Sequence, residues 1–553
     1  MCAYKITEEC IGCTLCAKNC PVMAISGELK SKHEIDPSKC VECGLCGRLC
    51  AKGAIVDSNG SLCVKVPKAE WPKPVINRAI CAGCSVCVSN CPKNCLVISE
   101  ADHHGDIRTV ARLADPDECI GCGICSRACP IEAISMTKPG ETPEYKYFNE
   151  KGVGKMYKIY CRIFQAVMKI ANYFLGYRMP EYIDGPGSIK TLPNYMREKG
   201  ADNVLIVTDS NLRKLGMIDG LTAALDESGF KYSVFSDIEP NPTSKNVEDG
   251  YKVYAENGCK CLVAVGGGSS MDCAKGIGAK VCHPNKTVAQ LQGLLKVGRR
   301  FPLFFAVPTT SGTGSETTVA AVITDAETHH KASINDPAII PKYAVLDPEL
   351  TMGLPPKVTS TTGMDALCHA VEAYTNHTYN TPLENKLAKD AVRLIHKSLY
   401  KAYLDGSDLE ARQDMQFAAF YAGRAFTRGC VGYVHAVGHT LGGLYGVPHG
   451  LAMSVILPHV MKQFGPAVYD KLADLADECG IEGKDNHEKA VGFIKWIEQM
   501  KRDMDIPEKI EGIKDEDIPQ MIKWAKAEAN PLYPVPVIWG DKELRQLIES
   551  IRA

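Results

Sequence analysis

Four copies of one spacing, Cys-x-x-Cys-x-x-Cys-x-x-x-Cys, crowd the first 129 residues of this 553-residue chain and take sixteen of its twenty-seven cysteines. The copies are Cys10-Cys13-Cys16-Cys20, Cys40-Cys43-Cys46-Cys50, Cys81-Cys84-Cys87-Cys91 and Cys119-Cys122-Cys125-Cys129. Two-residue gaps let three thiolates of one short loop grip one face of a cubane, so the pattern points to iron–sulfur chemistry. Zinc fits less well, because its thiolate sites normally use two Cys-x-x-Cys knuckles and need no third thiolate close by. Disulfides fit least: no secretory signal precedes Cys2, the first ten residues lack an apolar core, and a cytoplasmic protein is expected.

The runs resemble the bacterial two-cluster ferredoxin, written twice. Pro21, Pro92 and Pro130 follow three of them, and Ala51 stands where the second would have its proline. In that family the fourth cysteine of each run crosses to the neighbouring cluster. The resemblance therefore implies four [4Fe–4S] clusters. Their ligands would be Cys10, Cys13, Cys16 and Cys50; Cys40, Cys43, Cys46 and Cys20; Cys81, Cys84, Cys87 and Cys129; and Cys119, Cys122, Cys125 and Cys91.

Length alone suggests about 3 to 4 domains, and the 45% hydrophobic content is ample for packed cores. A formal charge of −2 leaves no nucleic-acid footprint. Residues 138–180 carry a local net charge of +5 and read as a hinge. Within them Met156, Tyr160, Ile163, Phe164, Val167, Ala171 and Phe174 recur at helical steps, which predicts one helix burying that stripe against the next domain. Lys158, Arg162 and Lys169 argue against a transmembrane span, and no other segment looks like one. A basic helix lying on anionic lipid is the sharper alternative.

Beyond about residue 180, strand-like runs alternate with helical patterns, as in a parallel α/β sheet. The candidates are Val204–Thr208, Tyr232–Phe235, Leu262–Val265, Phe304–Val307 and Tyr343–Leu346. From about residue 356 long helical stretches replace them. The expected division is 1–66 and 67–137 for two dicluster modules, 138–178 for a basic linker with an amphipathic helix, 179–355 for an α/β dinucleotide domain and 356–553 for an all-helical domain.

Gly266-Gly267-Gly268-Ser269-Ser270-Met271-Asp272 follows the third candidate strand and opens a helix. Consecutive glycines let a backbone approach a pyrophosphate, and a helix N-terminus supplies free N–H groups. A second loop after another strand, Pro308-Thr309-Thr310-Ser311-Gly312-Thr313-Gly314-Ser315-Glu316, repeats the theme. Two such loops suit a nucleotide at the carboxyl edge of a sheet. Downstream, Asp365 and His369 lie four apart, His435 and His439 four apart, and His449 follows in Pro448-His449-Gly450. Residues four apart share a helical face, and mixed oxygen and imidazole ligands suit Fe(II) or Zn(II).

These motifs resemble the iron-containing (group III) alcohol dehydrogenase family over residues ~180–553. The match rests on Gly266–Asp272, Pro308–Glu316, Gly363-Met364-Asp365-Ala366-Leu367-Cys368-His369-Ala370 and His435-Ala436-Val437-Gly438-His439, with His449 fourteen residues beyond His435. The whole chain is thus expected to be multidomain: two α+β ferredoxin-like dicluster modules, an α/β Rossmann-like nucleotide domain and an all-α metal-binding domain.

The resemblance implies Asp365, His369, His435 and His449 as metal ligands, with His439 catalytic, near the substrate and in a proton path. It implies Gly267, Gly268 and Ser269 as a pyrophosphate loop, Thr309, Thr310 and Thr313 as a second cofactor loop, and contacts from Asn241 and Lys331. Asp209, after the first candidate strand, would accept from a ribose 2′-OH, which favours NAD(H). The implied reaction is hydride transfer between NAD(H) and a small alcohol or aldehyde, with the metal as Lewis acid. Homo-oligomers are common in the family.

The two halves conflict in electron count, one at a time for a cluster and two at once for a hydride, and no separate flavin motif is present. Three arrangements answer this: a dehydrogenase wired to a redox protein partner such as a flavoprotein, ferredoxin or hydrogenase; a ferredoxin-driven aldehyde reductase; or an electron-transfer or assembly subunit. Cys95, Cys161, Cys259, Cys261 and Cys273 fall outside the runs and are expected to be small buried hydrophobes, Cys368 a packing residue, and His103-His104 a solvated pair.

Overall fold

The structure is a computed structural model that describes residues 4–57, 60–77, 81, 83–99, 110–130, 133–141, 154–298, 300–324, 326, 331–376 and 378–553. Two compact units divide it, one holding residues up to Tyr157 and the other Lys158–Ala553, with His103–Asp106 outside the described residues.

The first unit contains the same small fold twice. In the first copy Lys5–Ile6 pairs antiparallel with Ile55–Val56, and Ile25–Ser26 with Glu34–Ile35. In the second, Lys73–Ile76 pairs with Ile134–Thr137, and Leu96–Ser99 with Val110–Leu113. Every cysteine run bends in the same way. The residues just before and after its second cysteine are left-handed: Gly12 and Thr14, Glu42 and Gly44, Gly83 and Ser85, Gly121 and Gly123, all with φ between 50° and 69°. Thr14, Glu42 and Ser85 adopt this conformation at a cost of about 1 kcal/mol or more each, which the surrounding thiol geometry must over-determine. A short helix follows each bend, at Leu15–Asn19, Leu45–Leu49, Val86–Ser89 and Ile124–Ala128. The copies join through Leu45, Trp71 and Ile120. Arg48 clamps that seam: its Nη2 donates to Gly121 O at 3.0 Å and Cys43 O at 3.3 Å, and its guanidinium lies 5.6 Å from the Trp71 ring centroid.

The second unit opens with a six-stranded parallel sheet of β1 (Glu181–Asp184), β2 (Asn203–Val207), β3 (Lys231–Phe235), β4 (Cys261–Gly266), β5 (Leu303–Pro308) and β6 (Tyr343–Leu346). Their order is β3-β2-β4-β5-β6-β1. All five candidate strands exist, and the central ones are buried on both faces, as parallel strands under helices must be. β1 joins at the edge beside β6, and the hairpin of Ala320–Thr324 with Lys331–Asn335 forms a separate small sheet. From Pro356 onward the described chain is helical apart from connecting segments, the longest at 504–517.

The helix Lys155–Phe174 forms as its spacing predicts, but turns a different face inward. Met156, Ile163, Val167 and Phe174 are exposed, whereas Cys161, Gln165 and Asn172 are buried. Hydrogen bonding decides this: Gln165 Nε2 donates to Pro531 O and Tyr533 O at 3.0 and 2.8 Å, and Arg162 Nη2 donates to Pro536 O at 2.8 Å. Among the described residues no helix is long and apolar enough to cross a membrane.

Candidate metal and cofactor sites

Three helices converge on one point in the second unit. Asp365 and His369 lie on one face of α2 (Pro356–Thr375), His435 on α3 (Tyr433–Tyr445), and His449 opens α4 (His449–Phe464). One ligating atom from each of these four residues lies within 4.8 Å of the others. Glycines permit the approach: a Cβ on Gly438 would meet Met453 Cε at 1.9 Å, and one on Gly450 would meet Thr361 O at 2.5 Å. His449 Nε2 is 3.4 Å from Asp365 Oδ1, and His435 Nε2 is 3.9 Å from it.

Electrostatics fit a cation at this point. His369 Nδ1 and His435 Nε2 are buried without a hydrogen-bond partner, an arrangement too costly to leave empty of a ligand. Burial pushes both imidazoles down to about 3, so they are neutral and offer lone pairs. Burial alone would raise the Asp365 carboxyl, but the imidazoles of His369, His449 and His435 hold it well below the usual carboxylate range. The donor set of one carboxylate and three imidazoles suits Fe(II) or Zn(II).

Two carboxylates support the ring of ligands. Glu372, one turn beyond His369, faces His435 Nδ1 at 2.6 Å and accepts from Val434 N at 2.8 Å. It fixes the tautomer that leaves Nε2 free for a metal. Burial pushes Glu372 up to about 7, against the pull of the Val434 and Gly432 amides. Glu528, on α5 (Ile518–Ala529), plays the same part for His439: Nδ1 lies 2.8 Å from its Oε1, which also accepts from Tyr533 Oη at 3.0 Å. The His439 ring stacks 5.4 Å from that of His449, beside the ligands but outside their set. Neither glutamate was singled out in the sequence. Glu372 sits at i+7 from Asp365 and i+3 from His369 and was legible; Glu528 is far along the chain and was not.

The two glycine loops also meet. α1 (Gly268–Cys282) begins straight after β4, and a Cβ on Gly267 or Gly268 would touch Thr310 Oγ1 at 3.3 Å or Thr313 Cγ2 at 3.2 Å in the loop after β5. Asp272 accepts from Ser315 Oγ at 2.8 Å, and buried Lys275 donates to Ser315 O at 2.7 Å, so the loops are pinned together. Ser269 Oγ donates to Pro240 O, next to Asn241. Thr309 N donates to Gly266 O at 3.1 Å. Asp209 stands at the carboxyl end of β2, where its Oδ1 caps the helix Ser210–Lys214 through Asn211 N and Leu212 N at 2.9 and 3.0 Å. Lys331 starts the hairpin strand Lys331–Asn335 opposite Thr324, and the neighbouring Thr328, His329 and His330 lie outside the described residues. The backbone N–H groups and hydroxyls at this edge suit a dinucleotide phosphate.

In the first unit three of the four crossed cysteine sets line cavities. Cys20, Cys40, Cys43 and Cys46 border one, Cys91, Cys119, Cys122 and Cys125 a second, and Cys81, Cys84, Cys87 and Cys129 a third. In the remaining set Cys16 neighbours Cys10 and Cys13. Four-thiol cavities of this kind fit an iron–sulfur cubane, and they favour the crossed pairing over four ligands from one run.

A nucleotide-type sheet edge and a carboxylate–imidazole cluster that could hold a metal, together in the second unit, are the features expected of a metal-dependent oxidoreductase as a class. Comparison with known proteins makes this specific. The iron-containing alcohol dehydrogenase family matches residues 180–348, and its C-terminal counterpart matches residues 359–551. 4Fe-4S dicluster domains match residues 9–54 and 80–133. The chain belongs to the iron-containing alcohol dehydrogenase family, with 4Fe-4S dicluster domains ahead of the dehydrogenase.

1,3-Propanediol dehydrogenase of Klebsiella pneumoniae is 38% identical over 368 residues, 64% of this chain and 95% of that enzyme. The NAD-dependent methanol dehydrogenase of Bacillus methanolicus is 36% identical, over 64% of this chain and 93% of its own. Among solved structures, a 1,3-propanediol oxidoreductase matches with a TM-score of 0.65 at 36% identity, covering 68% of this chain and 99% of its own.

Proposed function

We propose that the protein is an NAD(H)-linked, metal-dependent alcohol dehydrogenase and aldehyde reductase whose four [4Fe–4S] clusters connect it to a redox protein partner. The observation that carries the reading is the meeting of four ligand atoms, within 4.8 Å of one another, in the same unit as two pinned phosphate-type loops. Asp365, His369, His435 and His449 would hold the cation, which supplies Lewis acidity toward an alcohol or carbonyl oxygen. Glu372 holds the His435 ring in place, and His439, oriented by Glu528, takes or returns a proton through Nε2. Gly267, Gly268, Ser269, Thr309, Thr310 and Thr313 bind the pyrophosphate, with Asn241 and Lys331 beside them. Asp209 at the carboxyl end of β2 supports a ribose 2′-OH and so NAD over its phosphorylated form. Relatives that act on methanol and 1,3-propanediol support a small primary alcohol or diol as substrate.

Anaerobically purified protein carrying the catalytic cation is expected to oxidise such an alcohol with NAD alone. No turnover from metal-loaded protein would overturn the reading. Cluster reduction by alcohol without NAD would favour the ferredoxin-driven route instead.

A further inference from the structure

Cys161, Cys259, Cys261 and Cys273 are buried, as the sequence predicts, and the last three sit in apolar clusters. Cys95 is equally buried, at 4% exposure, but its neighbours are thiols. It lines the same cavity as Cys91, Cys119, Cys122 and Cys125. Its Sγ lies 3.4 Å from Cys91 Sγ, and it faces Cys119 as well.

The repeat supplies an internal control. Four residues after the last cysteine of the other three runs stand Ala24, Ala54 and Ala133, whose amides donate to Cys20, Cys50 and Cys129 Sγ at 3.3, 3.3 and 3.2 Å. The fourth equivalent position is Cys95, where a methyl group is replaced by a donor. No packing argument asks for sulfur here, since alanine fills the matching position three times in the same fold.

We propose that Cys95 is a fifth thiol of this site, donating S–H to the Cys91 sulfur and raising the reduction potential of the cluster held by Cys91, Cys119, Cys122 and Cys125. The proposal rests on the cluster reading of the cysteine runs. Hydrogen bonds to cluster sulfurs are one of the protein's levers on potential, because they favour the more negative, reduced state. Cys95 donates its hydrogen bond without becoming a ligand. The couple affected adds one electron to one cluster, with no bond made or broken. The site lies against the Arg48 seam, since Arg48 donates to Gly121 O within the fourth run. The tuned cluster is therefore the one of its module nearest the other module's Cys43, whose carbonyl the same guanidinium holds.

The test uses the full chain, reconstituted anaerobically, as wild type, Cys95→Ala and Cys95→Ser. Iron and sulfide are counted, and each cluster's midpoint is read by an EPR-monitored titration with dithionite. Wild type holding about sixteen cluster irons secures the underlying reading, four irons for each of four clusters. Cys95→Ala is then expected to keep its iron while one midpoint falls, by a three- to tenfold change in the one-electron equilibrium, up to about 59 mV. Cys95→Ser, with a hydroxyl donor, is expected to recover part of that fall. Unmoved midpoints in Cys95→Ala would overturn the proposal. A rise would also overturn it, because that is the sign expected from water entering a loosened site. Loss of about four irons from Cys95→Ala would make Cys95 a ligand and overturn the donor role. Wild type with far fewer irons would instead remove the cluster reading itself.

Discussion

The two units assemble their ligand sets in opposite ways. In the first, three thiols of each set come from seven consecutive residues, and the backbone itself bends to aim them through paired left-handed residues such as Gly121 and Gly123. In the second, four ligands span Asp365 to His449 on three helices of ordinary geometry, and tertiary packing aims them. One kind of site is therefore vulnerable to local backbone change and the other to loss of a supporting contact far along the chain.

The strongest way to separate them is to delete a ligand of the helical site. His435→Ala or Asp365→Asn is expected to lose the catalytic cation and at least about 10³-fold in turnover, since several kcal/mol of Lewis-acid stabilisation go with it. Acid-labile sulfide should stay at the wild-type level; a parallel loss of sulfide would show that the units are not independent. Glu372→Gln removes only the carboxylate behind His435, and a 10- to 100-fold weaker metal affinity is expected in a competitive chelator titration. An unchanged affinity would reduce Glu372 to a cap for the Val434 amide.

The thiol sites should yield to backbone change instead. Gly121→Ala puts a Cβ 2.6 Å from Pro72 O at φ +62°, and a loss of about 1–3 kcal/mol is expected. The measurement is faster bleaching of cluster absorbance in guanidinium, with NAD-linked turnover kept. The mildest probe runs the other way. Thr14→Gly relieves a left-handed threonine, and a gain of at most about 1 kcal/mol is expected, because glycine also loosens the unfolded chain. A loss from Thr14→Gly in the same assay would mean the threonine side chain contributes more than its backbone strain costs.

The same contrast explains what could be read from the sequence. The cysteine sets were legible because their ligands are neighbours in the chain. The four inner strands were legible because burial on both faces makes them continuous apolar runs, and the edge strand β3 because Tyr232, Val234 and Phe235 still mark it. The edge strand β1 was not, since only Ile183 of Glu181–Asp184 is buried. The helix Lys155–Phe174 was placed correctly and faced wrongly, because apolar periodicity does not register that Gln165 satisfies the carbonyls of Pro531 and Tyr533. Asp365, His369, His435 and His449 stood out through spacing and family resemblance together. Glu528 reaches His439 across 89 residues, and no periodicity carries that distance.

Every ligand of the helical cage would come from α2, α3 and α4, whereas the phosphate-type loops belong to the sheet and to α1, the helix that follows β4. A hinge that parts sheet from helices breaks none of the cage's own contacts. An ion held there would stay with the helices through such a motion, whereas a nucleotide bound at the sheet edge would be free to leave and return.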